Sequence, residues 1–500
     1  MPSRRDFLRL AGLAAVSPQA ARAQIQEKAK KVKPPAGTVL VNDVHAQLSS
    51  ARVFKIEQPV NLEGVRKAFA LAKEEERPVC IAGGRHSMGG QPFVADGVMI
   101  DVRKLNKVLA FNDAAGLIEV ESGVMWPQLL EYLVQAQRGR NPQWTFSQKQ
   151  AGADRMTLGG SLAANIHGCG LTLPPFIGDI EAFTLLDGRG QIVRCNRSEN
   201  AELFQLAIGG FGLFGFVYSV TLRLVPRRKL ERVVEVRDIA GLMGAVGERV
   251  KEGYVYGEFQ CSIDDRSEEF LRRGIFTCYR PVPDDTSMPE RQSALSERDI
   301  IELLFLAHTD KAEAFKRYAT HYFATTGQLH WSDEQQMSIY PDAYHRELDR
   351  RWSAPQRGSE TITEILCERP ALEPFMAAVR EAARRDKFEI IQASVRVIER
   401  DTESFLTWAR RPSACVSLHV HVEHNSSGTI RAGDALRRLI DLGIKHGGGW
   451  HPAYHRYALP RQVEFCFPQM REFLKLKLKY DPQETIQSDW YRHYKRMYFG

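Results

Sequence analysis

The sequence predicts an α+β protein of two or three domains, on three observations. Its 500 residues exceed what one hydrophobic core organises. From Arg52 to Pro226, short strands and helices alternate around three glycine-rich segments. From Pro226-Arg227-Arg228 to about residue 445, helices and strands continue without a glycine cluster, as a separate α+β unit would. Hydrophobic content of 43% and charged content of 26% are those of a globular chain, and exclude a disordered, coiled-coil or repeat protein.

The N-terminus stands apart. Ser3-Arg4-Arg5-Asp6-Phe7-Leu8-Arg9 places an arginine pair before the apolar run Leu10 to Val16, and Ala21-Arg22-Ala23 offers a small-residue cleavage site. Basic, apolar, small is the order of a twin-arginine signal peptide, with a basic amphipathic helix as the alternative. Residues 1–23 are therefore expected to engage the twin-arginine export machinery and deliver a periplasmic protein, with 24–44 as a linker. No other run approaches the roughly eighteen apolar residues a membrane span needs, so no stable membrane insertion is expected. Cleavage removes Arg4, Arg5, Arg9, Arg22 and one acid, Asp6, so the formal charge falls from +7 to +4. That is too mild and too evenly spread for a nucleic-acid partner. The eight cysteines are scattered singly, with no C-x-x-C pair, and read mostly as small buried hydrophobes.

Taken in order, Val53-Phe54-Lys55-Ile56 reads as a strand and Asn61-Leu62-Glu63-Gly64 opens a helix. Pro78-Val79-Cys80-Ile81 is a buried strand that breaks into Gly83-Gly84, where no side chain blocks a ligand and backbone N–H groups can cradle an anion. Arg85, His86, Ser87 and a second pair, Gly89-Gly90, follow; a tight surface turn is the alternative. Val98 to Asp101 and Leu117 to Glu121 are strands, and Trp126 to Gln137 is a helix. The second glycine segment runs Thr157-Leu158-Gly159-Gly160-Ser161-Leu162-Ala163-Ala164-Asn165-Ile166-His167-Gly168-Cys169-Gly170, bare enough for a flat or extended ligand to lie on its backbone. Ile180 to Leu186 and Gln191 to Cys195 form a hairpin about Asp187-Gly188-Arg189-Gly190. The third segment, Gly210-Phe211-Gly212-Leu213-Phe214-Gly215, matches G-x-G-x-x-G. A helix precedes it and a strand follows, the reverse of the Rossmann order, so that reading is rejected. Ile390 to Ile398 and Cys415 to Val422 are strands, the latter carrying His419, His421 and Glu423 on one face. His446 to Arg456 is a glycine- and aromatic-rich loop, and Pro468 to Tyr480 an amphipathic helix.

The GGRHS loop, LGGSLAANIHGCG and IGGFGLFG, in this order, resemble the PCMH-type FAD-binding domain of the vanillyl-alcohol oxidase superfamily, over roughly residues 45–226 and 446–492. The loop around His86 looks most like that of alditol and aldonolactone oxidases. The tail FPQMREFLKLKLKYDPQETIQSDW is similar to that of those enzymes and of decaprenylphosphoryl-ribose oxidase. The resemblance implies an FAD-binding domain over 45–226, an α+β cap over 227–445, and a C-terminal segment, 446–500, that returns to the first domain. It assigns Ala82, Gly83, Gly84, Arg85, His86, Ser87, Met88 and Gly89 to holding FAD. It assigns Gly159, Gly160, Ser161, Ala164, His167, Gly168 and Gly170 likewise, Gly209 to Gly215 to the adenosine side, and Gly215 and Val217 to the cofactor-binding set. His86 falls where such relatives attach FAD covalently, and a neutral imidazole is a competent nucleophile. Arg396 sits where they carry a Glu-x-Arg pair, although Ser394 stands at the Glu position; Tyr454 stands where they carry a Lys. The replacement expectation is that Tyr454 or His455 is the base and that His419 or His421 positions substrate. His419, His421 and His424 also have metal-binding spacing, but with no acid-rich or Cys-bearing partner nearby no metal is expected.

The resulting expectation is an FAD-dependent oxidoreductase that takes hydride onto the flavin from an alcohol carbon of a sugar, polyol or lactone-like substrate. The flavin would be reoxidised by oxygen, a cytochrome or a quinone. The alternatives are a same-fold enzyme for a larger apolar or aromatic substrate, as the Trp450, Tyr454 and Tyr457 loop suggests, and a flavin-binding protein without turnover.

Overall fold

The loop that carries His86 leaves a three-stranded parallel sheet ordered Lys55–Glu57, Val98–Asp101, Val79–Ala82 in the computed structural model, which describes residues 37–500 except 291, 339 and 340. The expected signal peptide and most of the linker lie outside the described residues. The crossover between the outer strands is the helix Leu62–Glu74, capped where the Asn61 side chain accepts from the Gly64 N–H. Val65, Ala68, Phe69 and Ala72 recur at i, i+3, i+4 and i+7 and bury one stripe against the sheet. The single strand expected at 53–56 is two. Ala51–Val53 pairs antiparallel with Val39–Val41, and Lys55–Glu57 joins the parallel sheet, because the chain changes partners at Phe54, whose N–H donates to Gly97 O.

A five-stranded antiparallel sheet follows, ordered Ile192–Asn196, Ile180–Leu186, Phe216–Arg223, Leu117–Glu121, Val108–Asn112. The first two strands are the expected hairpin. The helix Ala201–Ala207 precedes the third glycine segment and the strand Phe216–Arg223 follows it, the order that ruled out a Rossmann unit.

The rest of the chain builds one eight-stranded antiparallel sheet: Leu329–Trp331, Lys229–Asp238, Arg273–Pro281, Tyr256–Cys261, Ile390–Ile398, Ser413–Glu423, Gly358–Glu368, Gly449–Trp450. Its faces divide by period 2. Ile365 faces the long helix Ser426–Lys445, where a Cβ on Gly443 would lie 2.6 Å from it. Ile362 and Glu364 face the other way, into a cavity that the helix Glu297–Thr309 also lines.

After Gly449–Trp450 the chain returns to the first sheet. Val79 bridges Ile486, and the Phe211 and Trp490 rings pack at 4.8 Å. Lys477 is buried on this return and is bound to Asp481, which also accepts from the Thr485 and Ile486 N–H groups. Burial holds the Lys477 pKa below its usual value, opposed by Asp481. Asp481→Ala is expected to cost about 3–5 kcal/mol in urea unfolding by stranding the ammonium. The stranded lysine binds its proton less well folded than unfolded, so the variant regains stability as pH rises toward the unfolded lysine value, and loses it again as pH falls. All eight cysteines are unpaired, seven of them buried. Among the described residues no helix is long and apolar enough to cross a membrane.

Candidate active site and cofactor cleft

Two cavities meet at His86, sharing Ser87, Met156 and Ala164 in their walls. The smaller, about 90 Å³, runs between the loop after Val79–Ala82, the helix Leu158–Ala164 and the turn ahead of Phe216–Arg223. Gly83, Gly84, Gly159, Gly160, Gly212 and Gly215 line it, so backbone rather than side chain faces the space. A Cβ on Gly83 would lie 2.1 Å from Thr157 Oγ1, and Gly215 combines a φ of +148° with a Cβ position 2.8 Å from Leu185. Only glycine lets these segments close around the cleft. Arg85 and Val217 line it too, Arg85 in the left-handed region at φ 61°.

His86 is buried, with Nδ1 2.9 Å from His45 Nε2, and its Nε2 makes no hydrogen bond. Burial lowers the pKa of His86. Burial first, then the neighbouring His86, holds His45 well below its usual value. Both rings are neutral near pH 7. With His86 Nδ1–H donating to His45, the other ring nitrogen keeps its lone pair.

The larger cavity, about 270 Å³, lies between this junction and the eight-stranded sheet. Its polar wall is centred on Glu364, 1% exposed at the side chain. Glu364 Oε2 lies 3.1 Å from His451 Nδ1 and 3.2 Å from His167 Nε2; Oε1 lies 3.4 Å from Gln150 Nε2 and 3.7 Å from Arg396 Nη1. Burial alone would raise the Glu364 pKa, but His167 and His451 outweigh it and hold the carboxyl well below its ordinary range. Arg396 is also 3.4 Å from Glu258. Tyr454 OH meets Gln150 Nε2 at 3.3 Å, and burial with the Glu364 charge holds its phenol protonated. His451 Nε2 reaches Ala164 O at 3.0 Å, tying this wall to the second glycine segment.

Arg396, Tyr454 and His419 thus line one cavity, while His455 does not. His455 is buried against Thr363 Oγ1 at 3.1 Å, and burial lowers its pKa to about 3. Burial likewise takes His419 to about 4. Ala82, Met88, Gly89, Ser161, His167, Gly168 and Gly170 line neither cavity. Several of them support the walls: Gly89 N–H donates to Gln91, Ser161 Oγ–H to Thr157 O, and His167 contacts Glu364. Sequence reasoning missed Glu364, Glu258, Gln150 and His45. The available signal was an acid within the apolar, β-branched run Thr361-Ile362-Thr363-Glu364-Ile365-Leu366, whose burial demands a partner.

The FAD binding domain family matches residues 55–196. L-gulonolactone oxidase of Bos taurus is 33% identical over 35% of this chain and 38% of its own length, and that of Mus musculus 31% over 34% and 37%. Cytokinin dehydrogenase 4 of Oryza sativa subsp. japonica is 27% identical over 34% and 32%. The match spans only about a third of the length of these relatives. Residues 55–196 carry an FAD-binding domain. The structure fits the cofactor: glycine backbone walls a cleft for an extended dinucleotide, and a buried imidazole nitrogen with no hydrogen bond stands where the cleft opens into the larger cavity. Gly83 to Ser87, Gly159, Gly160 and Gly215 with Val217 would hold FAD, and Gly160→Val, with its cleft-facing side chain, is expected to reduce flavin content, read from visible absorbance per protein.

Proposed function

We propose that the protein is an FAD-dependent oxidoreductase that dehydrogenates an alcohol carbon held against Glu364. One observation carries this: a buried, ionised carboxylate with an adjoining guanidinium faces a cavity continuous with the FAD cleft. FAD, when bound, supplies the two-electron acceptor. Glu364 accepts the substrate hydroxyl proton, and Arg396 stabilises the negative charge that grows on the substrate oxygen. Glu364 carries that proton between the His451 and His167 rings, 3.1 and 3.2 Å from its Oε2. Gln150 donates to Glu364 and to the Tyr454 oxygen, the Tyr454 hydroxyl orients the substrate hydroxyl, and the pairing of Glu364 with two neighbouring rings keeps the carboxylate from turning away.

The remaining cavity wall favours a substrate with an apolar or aromatic tail over a free polyol. Ile300, Leu303, Leu304, Phe315, Tyr318 and Tyr322 line it, against one carboxylate cluster at the other end. Leu304→Asp is expected to raise KM for an alkyl or aryl alcohol about tenfold with a smaller change in kcat, since it removes binding shared by ground and transition states. Anaerobic mixing with a panel of sugar, lactone, alkyl and aryl alcohols tests the reaction itself. Bleaching of the flavin by one class supports it; flavin that no alcohol reduces supports a flavin-binding protein without turnover. The acceptor is oxygen, or a cytochrome or quinone. The arginine pair and cleavage pattern of residues 1–23 support twin-arginine export to the periplasm.

A further inference from the structure

Outside both cavities, on the same face of the large sheet, three imidazoles converge on a second buried carboxylate. His308 Nε2 lies 2.9 Å and His421 Nδ1 3.3 Å from Glu360 Oε1. His345 Nδ1 lies 2.8 Å from the other oxygen, Oε2, which also accepts from the Tyr344 hydroxyl. Glu360 is 2% exposed. His308 Nε2 and His421 Nδ1 thus approach the same carboxylate oxygen, from a helix and from the neighbouring strand. Glu360 and His421 are directly opposed on neighbouring strands, and a Cβ on Gly358 would lie 2.4 Å from His421 Cε1, so glycine there makes room for the ring.

We propose that His308, Glu360 and His421 form a binding site for zinc or a similar divalent transition ion. The three donor atoms lie within 4.8 Å of one another. Zinc with nitrogen and oxygen ligands at about 2.0–2.1 Å sets neighbouring donors roughly 3.0–3.4 Å apart, close to the two separations observed. Two imidazoles and one carboxylate are a common set for such ions, leaving further positions open. His345 and Tyr344 hold the second carboxylate oxygen, as outer partners of metal-binding carboxylates do. One carboxylate neutralises a single imidazolium, whereas a dication binds to neutral rings and uses the whole cluster. His308 lies on the helix Glu297–Thr309, whose Ile300, Leu303, Leu304 and Ala307 line the larger cavity. The ion would fasten that helix to the strands Gly358–Glu368 and Ser413–Glu423, clasping one wall of the cavity to the sheet. This inference does not rest on the oxidoreductase reading.

The test uses the flavin-loaded protein, stripped with a chelator, dialysed and titrated with Zn²⁺ in a calorimeter. About one equivalent is expected to bind, with affinity weakened about tenfold or more in His308→Ala and in Glu360→Gln. Absence of binding, or equal affinity in both variants, would overturn the site. X-ray absorption on the zinc-loaded wild-type chain needs no variant. Only nitrogen and oxygen neighbours at about 2.0–2.2 Å are expected, while a sulfur neighbour at about 2.3 Å would place the ion beside Cys415 and Glu364 instead. Slower hydrogen exchange across 297–309 with zinc is the sign of the clasp, and unchanged exchange would refute that role.

Discussion

Glu364→Gln is expected to lower kcat on the best alcohol about 10²–10⁴-fold, the range for loss of a positioned base, while the flavin stays bound. The substitution keeps the size of the side chain and its reach toward Arg396, but removes the charge that accepts the hydroxyl proton. Because Glu364 lies on the wall of the larger cavity rather than in the glycine cleft, the visible flavin spectrum and flavin content of the variant should match the wild type. His167 and His451 hold the Glu364 pKa well below its ordinary range, so the carboxylate is ionised in the free protein throughout the neutral range. Loss of activity on acidification therefore belongs below the ordinary carboxylate value if this group alone sets it; kcat/KM against pH reads it. An unaltered kcat in Glu364→Gln would remove this residue from the mechanism.

The second large effect concerns His86. Its Nδ1 is engaged with His45 and its Nε2 makes no hydrogen bond at the meeting point of the two cavities, so the neutral ring would be available as a nucleophile toward bound FAD. A tether through this ring replaces one C–H bond of the flavin methyl with a C–N bond. Forming it would require loss of the methyl proton and of two electrons, for which the oxygen, cytochrome or quinone acceptor would serve. Acid precipitation is expected to leave yellow flavin in the wild-type pellet and to release it in His86→Ala. Flavin released from the wild type as well would show that His86 only packs against the cofactor. His45→Ala, which leaves His86 in place but takes away its ring partner, is expected to slow attachment, read as the fraction of flavin fluorescence migrating with the denatured chain.

Local patterns in the sequence carried the glycine segments, because tight turns and bare backbone are written in consecutive residues. Gly83-Gly84, Gly159-Gly160 and Gly215 do line one cleft, and the helix-then-strand order around Gly210–Gly215 correctly set aside the Rossmann fingerprint. The substrate side was less legible because its groups come from different strands. Ser394 stands where a carboxylate precedes the arginine in alditol oxidase-like sequences, and it pairs across the sheet with Ser417. The acids beside Arg396 arrive instead as Glu258 on one neighbouring strand and Glu364 two strands away on the other side, a juxtaposition only strand order reveals. In sequence, the loop 446–456 offers Tyr454 or His455 as the base. The fold turns Tyr454 into the cavity as a protonated donor and His455 away toward Thr363, while their neighbour His451 meets Glu364. Spacing alone groups His419, His421 and His424 only with one another. His421 finds its carboxylate on the adjacent strand and a further imidazole on a distant helix, pairings invisible to spacing.

The most direct measurement of the Glu364-centred site is the rate of flavin reduction on rapid anaerobic mixing with a saturating alcohol, compared between wild type, Glu364→Gln and His455→Ala. The account predicts reduction slowed about 10²-fold or more in Glu364→Gln and changed far less in His455→Ala. Fast reduction in Glu364→Gln together with its loss in His455→Ala would contradict it.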